Sequence, residues 1–398
     1  MKALAPWLAF ALLLAALPFV FRSSTALTLL SSIGVYAVFA LSYNMLLGQG
    51  GMLSFGHGVY FGLGGFAAIH LMIAIKDHAL PVPVFAAPLA GFAAGLIAGA
   101  VLGIPNCKRA GTAFSMISLG LGELAAAAGF MFTGLFGGEE GLAGDRSAGP
   151  AFAGLPLGPL HNLYVFIAVW LFLAALAIHA FAQTPLGRIA NAVRDNPERA
   201  AFIGFDPRRA RYLVFAAASG FAGLAGAMAA VNFELVSPLS LGAEPSTAVL
   251  LMTFIGGTAS FFGPVIGAAL ITLMRSLLSD YTTGWQLYVG LMFMAFVLFA
   301  PGGIAGVIEA ARGAFARGAA ARLASVWALR GLGVLAATLG GVFIIESALR
   351  WREGGTGLKF LGQALSLQTA AVAGCLLLAA GVYAALSAQA RLARAEAA

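Results

Sequence analysis

Four side chains stand out as able to do chemistry, because each is polar where its neighbours are apolar. Asn44, Ser54 and His57 flank or lie within Gly48-Gln49-Gly50-Gly51-Met52-Leu53-Ser54-Phe55-Gly56-His57-Gly58, a glycine-rich break between two apolar runs. So many glycines fray a membrane helix, and non-helical backbone at membrane depth is tolerated only where protein or a water cavity satisfies it. The spacing is compatible with a break that lines a translocation path. It is equally compatible with an ordinary loop followed by close packing through Gly58-x-x-x-Gly62. The fourth residue, Glu123, sits inside the apolar run SLGLGELAAAAGF. A carboxylate in a membrane span is costly and marks a functional site by default. It faces a pore, a proton path or a partner helix, or else it is neutral glue between helices. Ser54 and His57 also have the residue types of a hydrolase pair, but nothing near them provides a recognisable oxyanion site.

Other chemistries find little support. Of the four lysines, Lys2, Lys76, Lys108 and Lys359, none follows a glycine. The chain therefore has no phosphate-binding Gly-x-x-x-x-Gly-Lys-Ser/Thr loop, and is not expected to hydrolyse nucleotide or to carry a cofactor of its own. The five histidines are scattered, and the two cysteines, Cys107 and Cys375, lie at a span end and inside a span. Neither a disulfide nor a metal site is expected.

The elements that must position these residues are membrane helices. The chain has 398 residues, 61% hydrophobic and 9% charged, against roughly 25% charged in soluble domains. Mean hydropathy is +0.95. The reading is an all-α, polytopic transmembrane bundle of about ten core spans plus two extra C-terminal spans. Candidate spans fall at 3–20, 26–46, 57–75, 84–105, 112–132, 161–182, 212–231, 246–261, 264–280, 286–300, 325–345 and 366–388. The eighth and ninth meet at Phe261-Phe262-Gly263-Pro264 and form either a hairpin that does not fully cross or two steep helices. The 52 glycines spread through the apolar runs suit close helix approach. Residues 1–308 read as a core, 309–324 as a basic Ala/Gly-rich linker and 325–398 as an extension. The start, MKALAPWLAFALLLAALPFVF, resembles a signal peptide, but a retained first span is expected.

The net charge of +7 reflects membrane topology rather than nucleic-acid binding. With both termini inside and twelve crossings, fifteen of the 22 Lys and Arg residues fall on the cytoplasmic side. The 133–160 loop then faces outward. Asn232 and Glu234, beyond the seventh span, line an outer vestibule or belong to a solvated loop.

That orientation places the densest charged block, Thr184 to Arg211, in the cytoplasm. Thr184-Pro185, Asn196-Pro197 and Asp206-Pro207 are each a capping side chain before a proline that needs no N–H. Leu186, Ile189, Ala190 and Val193 share one helical face, and Gly204 is placed to end the second helix. The third helix runs into the next span. A folded basic elbow between two spans implies a cytoplasmic partner.

Three stretches together resemble the permease family of branched-chain amino-acid ABC transporters, in particular its LivM-type subunits. They are Asn44 to Phe66, Thr184 to Phe215 (followed by GFAGLAGAM) and Leu250 to Leu270, with LFAPGGIAG closing the core at Leu298 to Gly306. The resemblance covers roughly 30–308. It implies that the elbow is an ATPase-coupling segment, with Arg194, Glu198, Ala200, Ala201 and Gly204 as its functional residues and Arg199 intervening. It further implies two ATP-binding subunits that hold the ATP, a homologous second permease and a periplasmic binding protein, assembled in a bacterial inner membrane. Branched-chain or other small amino acids are the implied substrates, with urea or a short amide as the alternative. A different class, a secondary transporter or channel without an ATPase, would use Glu123 as its ion site. Family members usually stop soon after LFAPGGIAG, so 309–398 is a departure.

Overall fold

The computed structural model describes residues 5–78, 80, 82–150, 156–279, 282, 284–300, 302–316, 340–342, 344–348, 350–352, 357–360 and 363–397. They fall into two compact units, Met1–Leu277 with Phe293–Gly306, and Leu278–Met292 with Val307–Ala398.

In the first unit the helices are α1 (Ala5–Val20), α2 (Ser24–Asn44), α3 (Gly58–Lys76), α4 (Ala87–Asn106), α5 (Thr112–Met131), the single turn α6 (Thr133–Phe136), α7 (Leu160–Gln183), α8 (Pro185–Asp195), α9 (Pro197–Phe202), α10 (Pro207–Phe233), α11 (Ala243–Gly256) and α12 (Gly263–Ser279). The last two residues of α12 pass beyond Leu277 into the second unit. The axis of the bundle is α10, which is buried almost continuously from Val214 to Asn232. Its small residues explain this. Gly91, Gly95, Gly99 and Gly103 form one four-residue-spaced ridge on α4 and lie against Ser219, Gly223 and Phe215 of α10. A Cβ added at Gly95 would stand 2.9 Å from the Gly223 Cα, and one at Gly103 3.0 Å from the Phe215 ring. Such approach is how helices gain contact where burial from water supplies no driving force.

Among the described residues, seven helices are long and apolar enough to cross a membrane: Ser24–Gln49, Gly58–Lys76, Val84–Asn106, Thr112–Met131, Leu160–Gln183, Pro207–Phe233 and Gln368–Ala388. Four of the twelve expected spans are shorter apolar helices, Ala5–Val20, Ala243–Gly256, Gly263–Ser279 and Trp285–Val297. The expected span 325–345 lies largely outside the described residues. At 14 residues, α11 is about 21 Å long, short of a hydrocarbon core of about 30 Å. Its start at Gly242 and Ser246 meets Gly58, the first residue of α3.

The chain is mostly helical, as expected, with short strands as a local addition. Two short antiparallel pairings occur: β1 (Leu142–Ala143) with β2 (Leu235–Val236), and β3 (Gly357–Phe360) with β4 (Gln363–Ser366). The first seals the loop after α6 onto the end of α10, where Gly144 N–H donates to the Glu234 carbonyl at 2.9 Å.

The second unit holds the last described helix, α15 (Leu367–Ala397), together with the β3–β4 ribbon. Two helices cross the boundary in sequence, α13 (Trp285–Phe299) and α14 (Gly303–Ala316). Within this unit Gly340 packs against the backbone of Gly374 and Leu378, and Tyr288 donates to Glu346 Oε1 at 3.0 Å.

Candidate functional site: a buried break beneath a basic elbow

The glycine-rich break is extended backbone threaded between helices. At its start α2 widens into a π-helical turn, Met45–Gln49, and Gly51 takes a left-handed φ of +62°. Residues 50–57 are non-helical, and their polar backbone groups find hydroxyl partners on three helices. Tyr43 Oη donates to the Ser54 carbonyl at 2.9 Å, and Ser115 Oγ to the Leu53 carbonyl at 2.7 Å. Ser118 Oγ accepts from Phe55 N–H at 3.0 Å, and Ser246 Oγ from Gly58 N–H at 2.8 Å. Buried backbone needs such partners, and short hydroxyl side chains supply them without bulk. A Cβ at Gly56 would overlap the Ser118 carbonyl.

The candidate path residues divide by position. His57 is fully buried, stacked on Phe39 with ring centroids 5.6 Å apart and edged by Tyr43 and Tyr60. Its Nε2 lies 3.0 Å from Ser42 Oγ. The single Ser42 hydroxyl proton goes to the Phe39 carbonyl at 2.7 Å. His57 must therefore donate from Nε2, which leaves Nδ1 as an acceptor with no partner among the described residues. Asn44 and Ser54 are also buried, and Asn44 Oδ1 and Ser54 Oγ likewise have no partner among the described residues. These three residues gather at the break. Glu123 does not join them: it is exposed on α5, next to the buried Gly122 that faces Gly56.

The elbow is α8, α9 and the start of α10. All three caps form: Thr184 accepts from Gly187 N–H, Asn196 from Arg199 N–H and Asp206 from Arg208 N–H. Ala190 and Val193 turn inward with Ile189 and Leu186 partly covered, and Val193, Ala200, Ala210 and Ile189 form a small core of the elbow's own. Gly204 ends α9 with φ +90°, and Phe205 N–H returns to the Ala200 carbonyl at 3.1 Å. Glu198, Ala201 and Gly204 are exposed, while Ala200 is buried in that core.

Arg194 joins the two regions. Its guanidinium donates to the Gly48 carbonyl in the π-helical turn, and its side chain covers Gly51, where an added Cβ would lie 2.7 Å from Arg194 Cγ. Asp195 holds the same guanidinium through Nε at 2.9 Å and Nη2 at 2.8 Å.

Sequence reasoning missed two features. Phe202 is 89% exposed and Ile203 70%, with Phe205 beside them, so the elbow carries an apolar tip. The signal was the Phe-Ile-Gly-Phe run inside a charged block. At the other end of α10, Asn232 is buried and Glu234 is held by Arg146, whose backbone N–H donates to Glu234 Oε1 at 2.9 Å and whose Nη1 donates to the Asn232 carbonyl at 3.1 Å. These residues clamp the loop after α6. Nearby, hydrogen bonds from the Ser147 hydroxyl and N–H hold the Asp145 carboxyl below its usual range. Among the described residues no cluster of His, Cys, Asp or Glu could hold a metal ion.

Comparison with known proteins locates this architecture. The family described as branched-chain amino acid transport system / permease component matches residues 25–302. The high-affinity branched-chain amino acid transport system permease protein LivM of Escherichia coli (strain K12) is 26% identical over 292 residues, 68% of this chain and 67% of that protein. The corresponding LivH of Salmonella typhimurium (strain LT2) is 23% identical over 299 residues, 68% of this chain and 91% of that one. A probable LivM permease of Methanocaldococcus jannaschii is 22% identical over 303 residues, 67% of this chain and 86% of that one. No solved structure matches the chain.

Proposed function

Because this chain belongs to the branched-chain amino acid transport permease family, we propose that it forms half of the translocation pathway of an ATP-driven importer for branched-chain or other small amino acids. It is a multi-pass membrane protein and a transport component, and its family does not itself hydrolyse ATP. In the proposed complex two ATP-binding subunits dock below, one of them on this elbow, a homologous permease supplies the other half of the pathway and a periplasmic binding protein delivers the solute. The setting is a bacterial inner membrane with both termini cytoplasmic, an orientation supported by the excess of Arg and Lys on that side.

The observation that carries this reading is the Arg194 bridge. An elbow that only linked two spans would need no tie to the break. Here the guanidinium that belongs to the elbow grips the Gly48 carbonyl at the mouth of the buried segment. Displacement of the elbow by an ATPase subunit would pull on the π-helical turn and on Asn44 beside it. The π-turn is a form often found at functional sites. The exposed Phe202 and Ile203 support a docking role, since exposed large apolar groups rimmed by charge mark interaction sites. Arg194, Glu198, Ala200, Ala201 and Gly204 then act as the coupling segment, with Ala200 and Gly204 shaping it from within and Glu198 and Ala201 presented outward. Asn44, Ser54 and His57 are the path residues proposed for this chain. Glu123, on the outer side of α5, is proposed to face the second permease, because a carboxylate is costly against lipid. Residues 1–308 are the proposed permease core, with 309–324 a linker and 325–398 an appended element.

A mild-detergent pull-down of the tagged chain from its own membranes tests the assembly. Recovery of two P-loop ATPases and a second permease is expected. An active preparation containing this chain alone would overturn the proposal and turn attention to an ion-coupled carrier.

A further inference from the structure

The half of the bundle remote from the elbow holds a half-open cavity of about 220 Å³ between α2, α3, α10, α11 and α12. Its wall is apolar, formed by Phe61, Phe233, Leu235 and Val236, and small residues at Gly65, Gly226 and Ala229 make the room. Two opposite charges stand at its edge. Glu244 opens α11 and Arg275 lies near the end of α12, with Arg275 Nη2 3.7 Å from Glu244 Oε1. That separation exceeds the roughly 2.7–3.2 Å of a direct hydrogen bond. Both side chains are half or more exposed, so their mutual attraction contributes little to stability. Their mutual attraction is therefore given up at little cost when a ligand of matching charges comes between them.

From this arrangement we infer that the cavity is a binding subsite for a zwitterionic amino acid with an apolar side chain. The ligand carboxylate pairs with the Arg275 guanidinium, whose planar fork matches it. The ligand ammonium pairs with Glu244, and the side chain lies on Phe61, Phe233 and Val236. Few convergent polar groups over a mainly apolar lining is the usual composition of a small-molecule site. The position suits a first station on the path, since α11 leads from Glu244 to Gly256, and Thr258 just beyond it lies beside the break at Gly48. This inference rests on the permease reading and adds to it the place where the solute is held.

The test uses the complete complex in proteoliposomes with its loaded binding protein and measures leucine imported per ATP hydrolysed. In Glu244→Gln and Arg275→Gln that ratio is expected to fall about tenfold, the loss typical of one charged contact. A pair that merely tethered α11 to α12 would lower import and hydrolysis together and leave the ratio unchanged, which overturns the inference. Ala248→Leu, which narrows the cavity lining, is expected to shift preference from leucine toward valine without removing a charge. An unchanged preference there also counts against the subsite. Wild-type complex that imports no amino acid sinks the permease reading and this inference together. Normal wild-type import with indifferent variants sinks this inference alone.

Discussion

The break at 44–58 and the elbow at 184–211 are both interruptions between spans, yet they are finished in opposite ways. In the break, hydroxyls from Tyr43, Ser115, Ser118 and Ser246 meet the extended backbone and bury it. In the elbow, capping side chains complete the helix starts, but Phe202 and Ile203 are left in the open. Two glycines show the same contrast. Gly51 has a positive φ and also lies under Arg194, so both conformation and space demand glycine. Gly204 has a positive φ and nothing within 4 Å of an added Cβ. The extended backbone of the break is satisfied within this chain, whereas the elbow leaves its apolar tip exposed, the surface proposed to meet an ATPase subunit.

The comparison can be broken at several points. The largest effect is expected at Gly56→Val, where new carbon collides with the Ser118 backbone; overpacking of this kind costs about 3 kcal/mol. Thermal unfolding of the detergent-solubilised chain measures it, and an unchanged midpoint would mean that the break is not close-packed. Next comes the double variant Phe202→Asp/Ile203→Asp. Loss of apolar anchors should weaken ATPase docking by about 2 kcal/mol, roughly 30-fold. The chain's own stability should move by no more than about 0.5 kcal/mol, since both sites are exposed. Arg194→Ala removes a charge-assisted bond worth about 1.5 kcal/mol, and amide exchange should quicken at 45–52 more than within α9. Asn196→Ala removes the α9 cap at about 1 kcal/mol and should do the reverse, loosening α9 while leaving the break protected. Smallest is the response of Cys107. Burial pushes its thiol up to about 12, so the thiolate is scarce at neutral pH and maleimide should label it slowly.

Local signals were the most legible in the sequence. Thr184, Asn196 and Asp206 cap the helices they precede because a cap depends on residues only two or three away. Gly204 was readable for the same reason. Long apolar runs marked most of the spans, because a stretch of about 20 apolar residues matches the thickness of the hydrocarbon core. Features made by distant partners were not legible. Ser42, Ser115, Ser118 and Ser246 look like ordinary small residues in spans until the fold sets them against the break. The pairing of Leu142–Ala143 with Leu235–Val236 joins segments some 90 residues apart. A sequence also does not say which side of a short helix faces inward: Ala200 packs inside the elbow, while the exposed tip belongs to Phe202 and Ile203. The shortness of α11 was partly legible, since a hairpin that does not fully cross is one reading of 246–261 and 264–280; what the sequence did not mark is that the helix already ends at Gly256, before the Gly-Thr-Ala-Ser stretch.

The most direct test of the coupling role reconstitutes the full complex in proteoliposomes and follows ATP-dependent amino-acid uptake and ATP hydrolysis together. Wild type is compared with Phe202→Asp/Ile203→Asp. The predicted result is uptake that requires ATP in wild type and is lost in the variant, while the variant chain keeps its own unfolding midpoint. Uptake by the purified chain alone, driven by an ion gradient and indifferent to the elbow, would contradict it.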